Sequence, residues 1–348
     1  MSQLPLHTHG VPRERWLDIP RVAPLFDPLA APGRVASEWP RTRSLAKARW
    51  RRQLGVGPKV VTPSVTWGDQ ERFEGIRSRH LVYRTGDGDS VPALVYEPES
   101  RLSTPGPAVL GLHQTTGVGK LEPAGLAGLP DLAYGRELAL RGYTVLMPDL
   151  FVAGERAVNP YPYDCTEFDA VRPNWSAVGK MLFDHRHAVS VLETLPSVDV
   201  DRIGAIGHSL GGFNAWVLLG ADPRVRVAAS SCGYASFAGD PNPYLWSMQP
   251  FPYFPRLARW LDRKEVPFEM SEAVALDAPK PLFFYITKQD FENAPHWPAC
   301  LASLEPVHDL YQRLSGDSSR FVVEVGEGDH SFPPEAREAA YAFLEKWL

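Results

Sequence analysis

The sequence predicts an α/β protein: a mainly parallel sheet of eight strands with helices on both faces. Two observations carry this reading. From Ala108 onward, short apolar runs alternate with amphipathic stretches of helical period, the pattern of strands joined by crossover helices. Ahead of that alternation, Arg79 to Arg84 and Val91 to Tyr96 alternate in polarity on either side of Thr85-Gly86-Asp87-Gly88-Asp89, which reads as an antiparallel hairpin at the start of the sheet.

The elements follow in order. Residues 1–70 are rich in proline and arginine and form an N-terminal extension with one helix, Ser44 to Leu54, closed by Gly55. Leu45, Trp50 and Leu54 are expected to face inward, with Arg43, Lys47, Arg49, Arg51 and Arg52 on a solvated face. His7 and His9 lie in the terminal segment and carry no metal implication by themselves. Residues 71–348 read as one catalytic domain. After the hairpin come a strand at Ala108–Leu112, a helix at Asp131–Arg141 stopped by Gly142, and a strand at Thr144–Met147. A helix at Val178–Leu195 and a strand over Ile203–Ile206 follow, then a helix at Gly212–Leu219 and strands at Val225–Ser230 and Pro281–Thr287. The chain closes with a helix at Leu301–Leu314, a strand at Phe321–Val325 and a helix at Glu335–Leu348. One segment breaks the rhythm: residues 232–278 are too long for an ordinary connection and hold Tyr234, Phe237, Trp246, Phe251, Phe254, Trp260 and Phe268. Such a segment is expected to act as a lid or pocket wall, and Tyr234 and Trp246 are named from it as substrate-binding candidates.

Composition removes several function classes. The 348 residues are 44% hydrophobic and carry a net charge of −5, which gives no electrostatic footprint for nucleic acid or an anionic membrane. Cys165, Cys232 and Cys300 are scattered, without the spacing of a disulfide framework or a thiolate metal site. No run of apolar residues is long enough to span a membrane and the N-terminus lacks the pattern of a secretory signal, so the expectation is a soluble, cytoplasmic chain. No phosphate-loop motif is present, since the sole lysine of the candidate loop, Lys120, precedes Leu121. No cofactor or metal is expected, and the partner is a small molecule, with a homodimer left open.

The centre of the sequence is Ile203 to Ala215, I-G-A-I-G-H-S-L-G-G-F-N-A. It reads as a buried strand, a sharp turn at Gly207-His208-Ser209-Leu210-Gly211 and a helix. In a G-x-S-x-G elbow the serine sits strained at the tip of the turn, and the flanking glycines are needed because side chains there would strike the strand and helix. A serine hydroxyl is a weak nucleophile, so a base must take its proton and an acid must hold that base. In chain order the acid and then the histidine follow an elbow of this kind. Asp290 stands just past the strand ending at Thr287, and His330 stands in the loop after the strand ending at Val325, so both fall on the same sheet edge as Ser209. Glu292, Asp277 and Asp149 are rival acids. An oxyanion needs two preset N–H donors. Leu210, directly after the serine, supplies one, and Thr115 in the loop His113 to Gly119 supplies the other, with Gln114 the nearer alternative. Gln114 and His208, the variable elbow position, are also substrate-binding candidates.

With these residues assembled, the sequence resembles the α/β-hydrolase superfamily, and within it the dienelactone hydrolase and acetyl xylan esterase-like groups. The resemblance rests on Leu112 to Gly117, Arg141-Gly142-Tyr143 through Asp149, Gly154-Glu155-Arg156, Asp201 through Gly212, Asp290 and Gly328-Asp329-His330, and covers roughly residues 75–348. It implies an α/β-hydrolase fold and hydrolysis of an acyl bond without a cofactor. The chain departs from the dienelactone hydrolases in having Ser209 where they use cysteine, and Gln114 where they place an acidic residue. The expected activity is therefore hydrolysis of a small soluble carboxylic ester through an acyl-enzyme. Peptide or C–C bond hydrolysis on the same triad, or a binding protein that kept the fold, are the alternatives.

Overall fold

The structure, a computed structural model, describes residues 32–55, 57–157, 163–237, 240, 243–248, 251–290 and 297–348. The His7/His9 pair and the rival acid Glu292 lie outside them. Nine strands form one sheet: β1 Val65–Phe73, β2 Ile76–Arg84, β3 Ser90–Pro98, β4 Gly106–Leu112, β5 Thr144–Pro148, β6 Val198–His208, β7 Val225–Ser231, β8 Leu282–Thr287 and β9 Phe321–Gly326. The helices are α1 Pro32–Leu54, α2 Tyr134–Leu140, α3 Thr166–Val171, α4 Ala177–Leu192, α5 Leu210–Ala221, α6 Ala258–Leu261, α7 Met270–Val274, α8 Trp297–Ser315 and α9 Pro334–Trp347.

The strand order is β1-β2-β3-β5-β4-β6-β7-β8-β9. The first strands pair antiparallel through β3 and β5, and β5-β4-β6-β7-β8-β9 are parallel. Strands β4, β5 and β8 are buried at every position, as a sheet covered on both faces requires. The ninth strand, β1, escapes a pattern-based reading because it is an edge strand with seven exposed residues between half-buried ends and no apolar alternation to report it. One core cluster, with α1, α4, α5, α7 and α8, lies on one face of the sheet, and a second, with α2 and α9, lies on the other.

The N-terminal helix is longer than its sequence signals. Its inward face is made by Trp39, Ala46, Trp50 and Leu54, all buried, whereas Leu45, expected inside, is 52% exposed. Residues 39, 46, 50 and 54 share a face at helical spacing, and position 45 falls off it. Trp50 is the anchor: its ring lies 4.9 Å from Phe268, 5.5 Å from Phe254 and 6.0 Å from Trp216. Two of these partners come from the aromatic segment and the third from α5, so the extension ties that segment to the helix behind Ser209. Trp50→Ala deletes a buried indole from this cluster and is expected to cost about 3 to 5 kcal/mol, read as a lower urea midpoint by circular dichroism.

Candidate active site

The elbow forms as its glycines demand. Ser209 has φ 53° and ψ −124°, a backbone state that costs a non-glycine residue on the order of 1–3 kcal/mol. A Cβ at Gly211 would lie 1.8 Å from Leu112 O, and one at Gly207 would lie 2.3 Å from Gly211 C, so only glycine fits where strand, turn and helix close on one another. The Ser209 N–H donates to Ser231 O at 2.8 Å, which fixes the elbow to β7. Its side chain is half-buried at the head of α5.

Sheet register brings the other groups to this point. In the β8–β9 pair Thr287 stands opposite Gly326, so Asp290 and His330 leave neighbouring parallel strands almost level. His330 Nδ1–H donates to Asp290 Oδ1 at 2.9 Å, with the Asp290 side chain fully buried. The His330 ring lies 4.7 Å from that of His208, the residue before Ser209. Burial works to lower the His330 pKa, but the hydrogen bonds and charges of Asp290 and Cys232 outweigh it and raise the value to about 10.

Asp149 and Asp277 stand away from His330. Asp149 Oδ1 accepts from Lys120 N at 2.9 Å, and its Oδ2 accepts from Lys120 Nζ at 2.7 Å and Glu155 N at 3.0 Å. Asp277 is buried against Gly220, the far end of α5 from Ser209, and burial raises its pKa well above the usual carboxylate range.

The loop after β4 is held against the elbow. The Cβ that Gly211 lacks would lie 2.7 Å from His113 O, so this loop abuts the first turn of α5. His113 donates from Nδ1 to Gln114 O at 2.7 Å and accepts the Leu150 N–H at Nε2 at 2.9 Å, which pins the ends of β4 and β5 together. Burial, more than the opposing Asp149 charge, lowers its pKa to about 4, so the ring stays neutral in this role. The Thr116 N–H is spent on Tyr163 Oη at 2.9 Å. Among the described residues the N–H groups of Leu210, Thr115 and Gln114 meet no acceptor.

The substrate-binding candidates are placed unequally. His208 is buried, with Nδ1 3.0 Å from Ser231 Oγ, and burial followed by the His330 charge drives its pKa well below 6.5. Gln114 Nε2 donates to Glu122 Oε1 at 3.1 Å. Tyr234 is buried in the main core, its hydroxyl 2.7 Å from Ser303 Oγ and its ring 5.4 Å from Phe284. Trp246 is half-buried, donates from Nε1 to Asp240 Oδ2 at 2.8 Å and packs 4.9 Å from Tyr253. Much of the aromatic segment is core: Phe237, Phe251, Phe254 and Phe268 are all buried.

Sequence reasoning missed two residues. Glu122 is buried, accepts from Gln114 and from Leu129 N at 3.2 Å, and has its pKa raised by burial against those hydrogen bonds. Cys232 lies one residue past β7, and its Sγ is 3.6 Å from both Thr287 Oγ1 and Ser331 O. Position just past a strand end was the available signal for Cys232. For Glu122, inside an irregular loop, there was none.

Comparison with known proteins agrees with this architecture. The sequence pattern described as the dienelactone hydrolase family matches residues 91–342. The chain belongs to the dienelactone hydrolase family. It is a hydrolase. The Bacillus subtilis (strain 168) protein YtaP, which carries a hydrolase name, is 27% identical over 291 residues, spanning 80% of this chain and 90% of YtaP. Among solved structures, the glucuronoyl esterase from Solibacter usitatus superposes with a TM-score of 0.72 at 16% identity, covering 94% of this chain and 98% of the other. Acetyl xylan esterase 1 from Thermoanaerobacterium sp. JW/SL YS485 has a TM-score of 0.55 at 13% identity, covering 95% and 96%. These two likenesses speak to the fold. Among the described residues, no helix is long and apolar enough to cross a membrane.

Proposed function

We propose that the chain is a serine carboxylic ester hydrolase acting through an acyl-enzyme. The observation that carries the reading is the His330–Asp290 pair, held at 2.9 Å on the same sheet edge as the strained Ser209 elbow. Ser209 Oγ attacks the ester carbonyl while neutral His330 takes its proton, and Asp290 holds the ring with Nδ1–H towards itself, leaving Nε2 for the serine. The N–H groups of Leu210 and Thr115 receive the oxyanion. His330 then gives its proton to the leaving alcohol and activates the water that frees the acyl group. Ser209 Oγ makes no hydrogen bond among the described residues, and in this reading the Ser209–His330 hydrogen bond forms when substrate enters. The names of the structural neighbours direct the first substrate panel to acyl and alkyl esters of sugars beside simple aryl esters.

Two measurements test the reading together. A fluorophosphonate probe is expected to label Ser209, located by peptide mass spectrometry, and to abolish esterase activity in proportion. The pH profile has a definite sign. Because His330 must be neutral to act as base and its pKa is raised to about 10, kcat/KM rises with pH, with its acid limb well to the alkaline side of 6.5. A flat rate between about pH 5 and 8 would place the base elsewhere. The same shift makes a stability statement: a histidine with a raised folded pKa stabilises the fold fully below its unfolded value near 6.5, and that contribution is lost as pH rises towards about 10.

A further inference from the structure

The ends of β7, β8 and β9 place a thiol, an imidazole and a carboxylate together. One ligand atom from each of Cys232, His330 and Asp290 lies within 4.8 Å of the others, and Cys232 and Asp290 are buried. The sheet dictates this meeting. His208 stands opposite Ser231 in the β6–β7 pair, which sets Cys232 beside Ser209, and the β8–β9 register sets Asp290 beside His330. Cys232 is held in place by its own N–H, which donates to Tyr285 O at 2.8 Å, and its backbone has φ 48°, left-handed like that of Ser209. Neither of the other cysteines, Cys165 and Cys300, belongs to such a group among the described residues.

We propose that Cys232, His330 and Asp290 form a binding site for a divalent cation of the zinc class, and that occupancy switches the hydrolase off; the second half rests on the assignment of His330 as base. The donor set selects the cation. Thiolate sulfur, imidazole nitrogen and carboxylate oxygen together suit Zn²⁺ and Co²⁺, whereas Mg²⁺ and Ca²⁺ demand oxygen ligands. The charges also close: one thiolate and one carboxylate neutralise the dication, the condition for holding a cation at a buried position. Binding removes the Cys232 thiol proton to solvent and draws an imidazole nitrogen and the Asp290 carboxylate onto the metal. The histidine then no longer accepts the serine proton in the orientation Asp290 gave it.

The test uses the purified full chain. Titration with Co²⁺ is expected to produce a near-ultraviolet thiolate-to-cobalt charge-transfer band saturating at one ion per chain, and Zn²⁺ to bleach it by competition. Saturating Zn²⁺ lowers esterase turnover by roughly 10²-fold or more, the scale of a lost general base, whereas Mg²⁺ leaves turnover unchanged. Cys232→Ala and Cys232→Ser, each compared with its own metal-free rate, lose both the band and the Zn²⁺ sensitivity. Ser209→Ala keeps the band, which separates the cation site from the choice of nucleophile. Absence of the band at saturating Co²⁺, or equal Zn²⁺ inhibition in both Cys232 variants, would overturn the site. A band with turnover unchanged or increased would overturn the switch.

Discussion

Ser209→Ala is expected to lower kcat towards a short-chain aryl ester by roughly 10⁶-fold, the scale set by removing the nucleophile from another serine hydrolase. Alanine inherits the φ of 53° and the same neighbours, so the elbow loses one oxygen and keeps its shape. The N–H groups of Leu210 and Thr115 remain, and on the proposed mechanism a residual acceleration of roughly 10³ to 10⁴ over water is expected from them and from binding. Steady-state kinetics on protein whose near-ultraviolet circular dichroism matches the parent decides the matter. Retention of more than about one part in a hundred of kcat would remove Ser209 from the mechanism.

Asp290→Asn is expected to lower kcat by roughly 10⁴-fold, because an amide presenting its N–H₂ to His330 favours the tautomer that turns the wrong nitrogen towards the serine. This variant carries a second readout that a loss of packing would not move. The Asp290 hydrogen bond and charge help raise the His330 pKa, so without them the acid limb of kcat/KM shifts to lower pH. A fall in kcat with the limb unmoved would mean that the carboxylate orients something other than the base. The side chain is fully buried, so the isosteric amide is the appropriate probe and alanine, which leaves a cavity, is not.

Much of this site was legible in the sequence because its signals are local. A buried strand is apolar throughout, a crossover helix has its own period, and a G-x-S-x-G turn writes its steric demands into the glycines themselves, as the 1.8 Å approach at Gly211 shows. The positions of Ser209, Asp290 and His330 past strand ends follow from such signals. The hairpin and the parallel strands fall within a few residues of their expected bounds for the same reason.

What only the tertiary structure decided is everything that depends on register and on which apolar surfaces meet. The ion pair of Lys120 with Asp149, between residues 29 apart in the chain, is one such fact. Cys232 reaches His330 only because three parallel strands end level. The aromatic segment read as a lid or pocket wall; in the structure Phe254 and Phe268 turn inward onto Trp50 of the N-terminal helix, and Tyr234 is buried in the core. Aromatic composition states that a segment will bury surface, but burial is non-directional, and against what it packs is settled by the shape of the whole molecule. The sequence by itself determined the fold class and the sheet edge that carries the candidate site. Packing decided which thiol stands beside His330.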